Sequence, residues 1–199
     1  MSPLRAVHCI PTMSKRAWYR PAMAKQVVVL LRGINVGGRA KLPMATLRSI
    51  AEDLGFADPT TYLQSGNLVV GTDHAVDKVA EMLRDGISSE TGLDIAVLTR
   101  TFSELQGVIE HNPFPDQAVD GKLVHVAFLD AKPDKALKDF DATDFAPEEL
   151  VLGDRHVWLS LPGGIGRSKL ATALGRVPSF KAATVRNWNT VTALAEMAD

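Results

Sequence analysis

The first 51 residues contain no aspartate or glutamate, against nine lysines and arginines. Acid is confined to the middle of the chain. Between Glu52 and Asp154 there are 21 acidic and seven basic residues, and from Arg155 to Ala195 there are six basic residues and again no acid. The net charge of −1 therefore conceals two basic ends around an acidic centre. Such asymmetry hints at an anionic partner, although solvated surface charge explains it equally well. Cysteine is almost missing: Cys9 alone excludes an internal disulfide and a thiolate metal site, and a reducing cytoplasm is the expected compartment. No apolar run is long enough to span a bilayer, so no membrane partner is expected. The five histidines lack metal-ligand spacing, and no metal or cofactor is called for. Aromatics make up 6% of residues, and the aromatic-rich strand pattern of RNA-reading domains is missing. Residues 1–22 have no secretory apolar core and are expected to be a disordered extension before Met23.

What is there is a run of alternating structural signals. Gln26 to Arg32 is apolar and β-branched, as in a buried strand. Pro43 opens a helix to Leu54 with Met44, Leu47, Ile50 and Leu54 on one face, and Gly55 stops it. "TTYLQSGNLVV" reads as a hairpin about Ser65-Gly66-Asn67. A helix over 75–91 and a strand over 94–100 complete a βαββαβ order. The second half nearly repeats it, with a helix over 102–110, a strand at "KLVHVAFLD", a helix from Pro133, a hairpin about Gly153-Asp154 and a short helix at "RSKLATAL". A final helix over 189–197 stands where the last strand belongs. The expected fold is α+β, with two tandem ferredoxin-like units, 23–100 and 101–199, the second carrying an extra C-terminal helix.

Four stretches carry candidate chemistry. "RGINVGGRAK" half-fits a phosphate loop, but Arg39 and Ala40 stand where lysine and serine or threonine are needed. Its free backbone N–H groups, with Asn35, Arg39 and Lys41, suit an anion; a plain strand-to-helix turn explains it as well. "QSGN" lacks the elbow of a serine nucleophile, and its hairpin explains Ser65 adequately. "PGGIGRSKL" places Arg167, Ser168 and Lys169 at a helix start, in a passage comparable to the first, with simple capping by Ser168 as the alternative. In "TVRNWNTV", Arg186 and Trp188 alternate with amides and offer a stacking surface, unless Trp188 is packed in a core.

"LLRGINVGGRAKLPM", "YLQSGN", "GIGRSKL" and "RNWNTV", in that order, resemble the bacterial family catalogued as domain of unknown function 1697. The resemblance spans about residues 26–194. It implies a two-part α+β protein and carries over no catalytic residues. The leading expectation is a basic cleft between the two units, where Asn35, Arg39, Lys41, Arg167, Ser168, Lys169 and Arg186 hold a phosphorylated small molecule or nucleic-acid backbone and Trp188 stacks on it. A metal-independent enzyme using Ser65, Asn67 or Arg186, and a protein-interaction module, are the alternatives.

Overall fold

The computed structural model describes residues 25–37 and 40–199; the expected 1–22 extension lies outside them. The fold is mixed α+β with two four-stranded antiparallel sheets. The first contains β1 (Lys25–Leu31), β2 (Ala57–Tyr62), β3 (Asn67–Thr72) and β4 (Val97–Thr101) in the order β2-β3-β1-β4. Because side chains alternate along a strand, β1 is buried on both faces. Val27, Val29 and Leu31 pack beneath α1 (Met44–Asp53) and α2 (Val76–Thr91), whereas Val28 and Leu30 face the second sheet. This explains why β1 reads as an unbroken apolar run.

The second sheet contains β5 (Val124–Phe128), β6 (Glu149–Leu152), β7 (His156–Ser160) and β8 (Thr184–Asn187) in the matching order β6-β7-β5-β8. Its outer face is covered by α4 (Lys135–Lys138), α5 (Lys169–Leu174) and α6 (Pro178–Lys181). Between the sheets lie α3 (Phe102–Glu110) and α7 (Trp188–Ala198), and the central core combines Leu30 and Leu98 of one sheet with Val126, Phe128 and Trp158 of the other. The layers thus run helices, sheet, helix pair, sheet, helices.

Two sequence expectations change. The last strand of the second half exists: β8 pairs with β5 through His125↔Asn187 and Val126↔Arg186. Its four residues include a buried arginine and an asparagine, so its pattern resembles a loop. The terminal helix α7 therefore follows the last strand instead of replacing it, and α3 follows β4 in the same way. An extra helix is a property of both halves. Among the described residues, no helix is long and apolar enough to cross a membrane.

Candidate functional site

The first glycine-rich stretch leaves β1 through Gly33, Asn35, Gly37 and Ala40, all with positive φ. Asn35 is the tie inside this loop. Its Nδ2 donates to the carbonyls of Leu42 (2.9 Å) and Gln64 (2.8 Å), and its Oδ1 accepts from the Leu42 N–H (2.9 Å). The "RGINVGG" and "QSGN" stretches are thereby clamped together. Lys41 is exposed beside them, and Arg39 lies outside the described residues. Ser65 takes part in the same structure: its hydroxyl accepts from Asn67 Nδ2 at 3.0 Å.

The second glycine-rich stretch lies elsewhere. Ser168 is buried, caps α5 by accepting from the Ala171 N–H (2.8 Å) and donates to Glu148 Oε2 (3.1 Å). Arg167 and Lys169 are exposed beside an open hollow shared with Arg176. This stretch leaves β7, whose Ser160 pairs with Val124 at the start of β5. The first stretch leaves β1, where Thr184 Oγ1 donates to the Leu31 carbonyl (3.3 Å) and Arg32 Nε to the Ala183 carbonyl (3.1 Å). Thr184 pairs with Phe128 at the other end of β5. At about 3.4 Å per residue, the two glycine-rich departures are separated by the roughly 13 Å length of β5. They also differ topologically, one joining β1 to α1 and the other β7 to α5. The hollow beside the second stretch is lined by residues between Gly166 and Arg176 and by none of the first stretch.

Arg186 is 7% exposed and spends all five guanidinium donors on protein acceptors. Nε donates to Asn67 Oδ1, Nη1 to Thr184 Oγ1 (2.7 Å) and the Val185 carbonyl (2.9 Å), and Nη2 to the carbonyls of Leu31 (2.8 Å), Ser65 (3.0 Å) and Gly66 (3.3 Å). Burial alone lowers it to about 10, so it remains charged at neutral pH. Nothing is left over for a ligand. Three of the four sequence motifs meet here, as a bolt between the halves. Trp188, 9% exposed, belongs to the central core and presents no open stacking face.

The counterpart of Arg186 is Arg100, which the sequence reading did not single out. It is 2% exposed and the penultimate residue of β4, as Arg186 is of β8. Arg100 Nη1 donates to the preceding carbonyl of Thr99 (2.7 Å), and Nη2 to the carbonyls of Leu129 (2.5 Å) and Arg155 (2.7 Å). Leu129 and Arg155 correspond to Leu31 and Gly66, since Leu129 N–H bonds the Arg155 carbonyl (2.9 Å) as Leu31 N–H bonds that of Gly66 (2.8 Å). Each half therefore sends an arginine into the other's hairpin. The sequence signal was a repeat across the two strand ends, "TRTF" at 99–102 against "VRNW" at 185–188: arginine, helix cap, aromatic.

The two crossings differ in what remains. Three bonds leave Arg100 with its Nε–H and one Nη1–H unused. His156 occupies the place of Asn67, but its Nε2 is buried without a hydrogen-bond partner, against Gly153. A cavity of about 270 Å³ opens at this crossing, between α3 and the β6–β7 hairpin. Gly107 and Val108 of α3 and Trp158 of β7 supply apolar wall, with Arg100, Arg155, His111 and His156 as its basic groups. Trp158 is held by its Nε1–H to the Val108 carbonyl (3.2 Å) and meets the His156 ring edge-on at 4.1 Å.

The charges around this cavity are partly committed. Glu104 caps α3 by accepting from the Thr101 N–H (2.8 Å) and lies 3.4 Å from Arg155 Nη1. Asp154 pairs with Lys132 at 2.7 Å. Arg100 has no acid in direct contact; its guanidinium stands 5.6 Å from the Phe128 ring centre. Burial and then Arg155 lower it to about 10, opposed by Glu104 and Asp130 at longer range. Burial and then Arg100 push His156 down to about 4, opposed by Asp154, so its ring is neutral at pH 7. Among the described residues, no three His, Cys, Asp or Glu side chains cluster to hold a metal ion.

The family described as protein of unknown function DUF1697 matches residues 24–158, which include the first two of the four motifs. The conserved bacterial protein SP0830 from Streptococcus pneumoniae has a similar structure: TM-score 0.74, 20% identity, over 89% of this chain and 100% of that one. At that identity the likeness establishes the fold. No curated protein matches. The chain belongs to the DUF1697 family.

Proposed function

We propose that this member of the DUF1697 family binds a small anion-bearing molecule in the cavity at the Arg100 crossing, between its two halves. One comparison carries the reading. Arg186 and Arg100 make the same crossing, yet Arg186 uses every donor on protein, whereas Arg100 keeps two N–H groups beside a cavity. A buried cation with unused donors is stabilised by an oxygen acceptor, and a charged acceptor gives the strongest bond. Arg155 at the same cavity adds a second cation. Each half is read as a ferredoxin-like unit, because helices fall between the first and second and the third and fourth strands, and the second strand lies at a sheet edge. The cavity sits where two such units meet, a common place for ligand sites.

The test is a thermal-shift titration of the full chain with phosphate, acetate and phosphorylated metabolites at constant ionic strength. A ligand at a hundred times its Kd is expected to stabilise the native state by about 2.7 kcal/mol. The shift should shrink as sodium chloride rises, through screening and competition. Arg155→Gln should weaken it several-fold. No shift with any anion, or an undiminished shift in Arg155→Gln, would count against the reading.

A further inference from the structure

We infer that the molecule bound at the Arg100 crossing is a compact amphipathic acid, a carboxylate or phosphate on an apolar body of ring size, and not an enclosed nucleotide. The inference rests on the proposed anion site and adds to it the other wall of the cavity.

Two glycines interrupt helices of the first half. Gly86 in α2 has a packing reason, since a Cβ there would lie 3.0 Å from Ile50 Cγ2 and 3.1 Å from Leu54 Cδ1. Gly107 in α3 has none: nothing lies within 4 Å of where its Cβ would be. A mid-helix glycine is unfavourable relative to alanine. At 107 that cost leaves bare backbone facing the cavity, bordered by Val108 and Trp158. This side of the cavity is mainly apolar: Ser103 and His111 also line it but bond to Thr101 Oγ1 and the Gly107 carbonyl, and Trp158 already spends its only donor on Val108. It therefore receives hydrocarbon, while Arg100 and Arg155 receive the acid group.

Size selects within that class. A dry cavity of about 150 Å³ takes a benzene molecule, which is roughly 25 Å³ per heavy atom. At 270 Å³ the cavity, which is open on one side, holds about eleven heavy atoms by the same ratio, enough for one ring and an acid group. A whole nucleotide exceeds that.

The experiment measures Kd by calorimetry for phenylacetate, phenyl phosphate, acetate, inorganic phosphate, benzyl alcohol and adenosine monophosphate, on the full chain and on Gly107→Leu. Leucine is a good helix former and projects into open space, so the fold should survive; Gly107→Ala provides a smaller version. Phenylacetate and phenyl phosphate are expected to bind at least tenfold more tightly than acetate and phosphate. Gly107→Leu should erase that advantage while leaving acetate and phosphate binding in place. Simple anions that bind as tightly as their phenyl counterparts would overturn the amphipathic inference and leave the anion site standing. Benzyl alcohol matching phenylacetate would overturn both, as would failure of every compound. Tighter binding of adenosine monophosphate than of phenyl phosphate would overturn the size limit.

Discussion

A buried arginine with no acid beside it is stable only if neutral acceptors replace its water. Arg186 achieves this with backbone carbonyls, a threonine and an asparagine. Truncating it leaves Asn67 Oδ1 without a donor in the interior, costing about 1–3 kcal/mol, and takes one of two donors from each of the Leu31 and Gly66 carbonyls. Arg186→Met is therefore expected to lose about 1–3 kcal/mol in urea unfolding, with Arg186→Lys recovering little, because an ammonium cannot reproduce the planar fork. His156 gives a pH signature. Its folded value of about 4 lies below the ordinary 6.5, so as pH falls between these values the unfolded chain takes up a proton that the folded chain refuses. Stability present above pH 6.5 is lost on the way to pH 4. The full shift corresponds to about 3 kcal/mol, and partial solvent contact brings the expected loss nearer about 1–2 kcal/mol. His156→Asn, which installs the counterpart of Asn67, should remove that part of the acid slope while Asp154 and the other carboxylates keep theirs.

At the scale of elements, the β2–β3 hairpin is the most demanding piece. Gly66 has φ +78°, and a Cβ there would approach Leu31 Cβ to 2.7 Å. Gly66→Val combines backbone strain with overpacking and is expected to cost at least about 2 kcal/mol in thermal or urea unfolding. Ser65→Ala loses one hydrogen bond from Asn67 and should cost about 1 kcal/mol or less. Elements with strong periodicity were legible in the sequence: β1, α1, the hairpin and α3, whose predicted bounds of 102–110 match the structure. Short elements whose identity depends on distant partners were not. β8 is a strand because β5 lies beside it, and Arg186 is buried because the first half supplies acceptors. The candidate site was hidden for the same reason. Arg100, Gly107 and His156 come from separate elements, and none stands in a motif that names a chemistry. The "TRTF" and "VRNW" pair was the one available clue.

Across the whole molecule, the central core decides cooperativity. Leu30, Leu98, Val126 and Phe128 share one cluster with α3 and α7, so neither sheet can be exposed without opening it. Calorimetry of the full chain is expected to show one transition, with equal calorimetric and van't Hoff enthalpies. Two separated transitions would mean that the halves unfold independently. In chain order α3 stands to β4 as α7 stands to β8.

The exchanged arginines have a consequence in terms of symmetry. Were the halves two identical free chains, their contact would be isologous: whatever one copy gave, it would also receive. Both crossings would then be sealed or both would be hollow. Joining the halves in one chain removes that obligation. One crossing can remain a rivet while the other trades its asparagine for a histidine and keeps a void. Tandem linkage thus lets two copies of one joint differ, so that one crossing is hollow where a symmetric pair would have two such hollows or none.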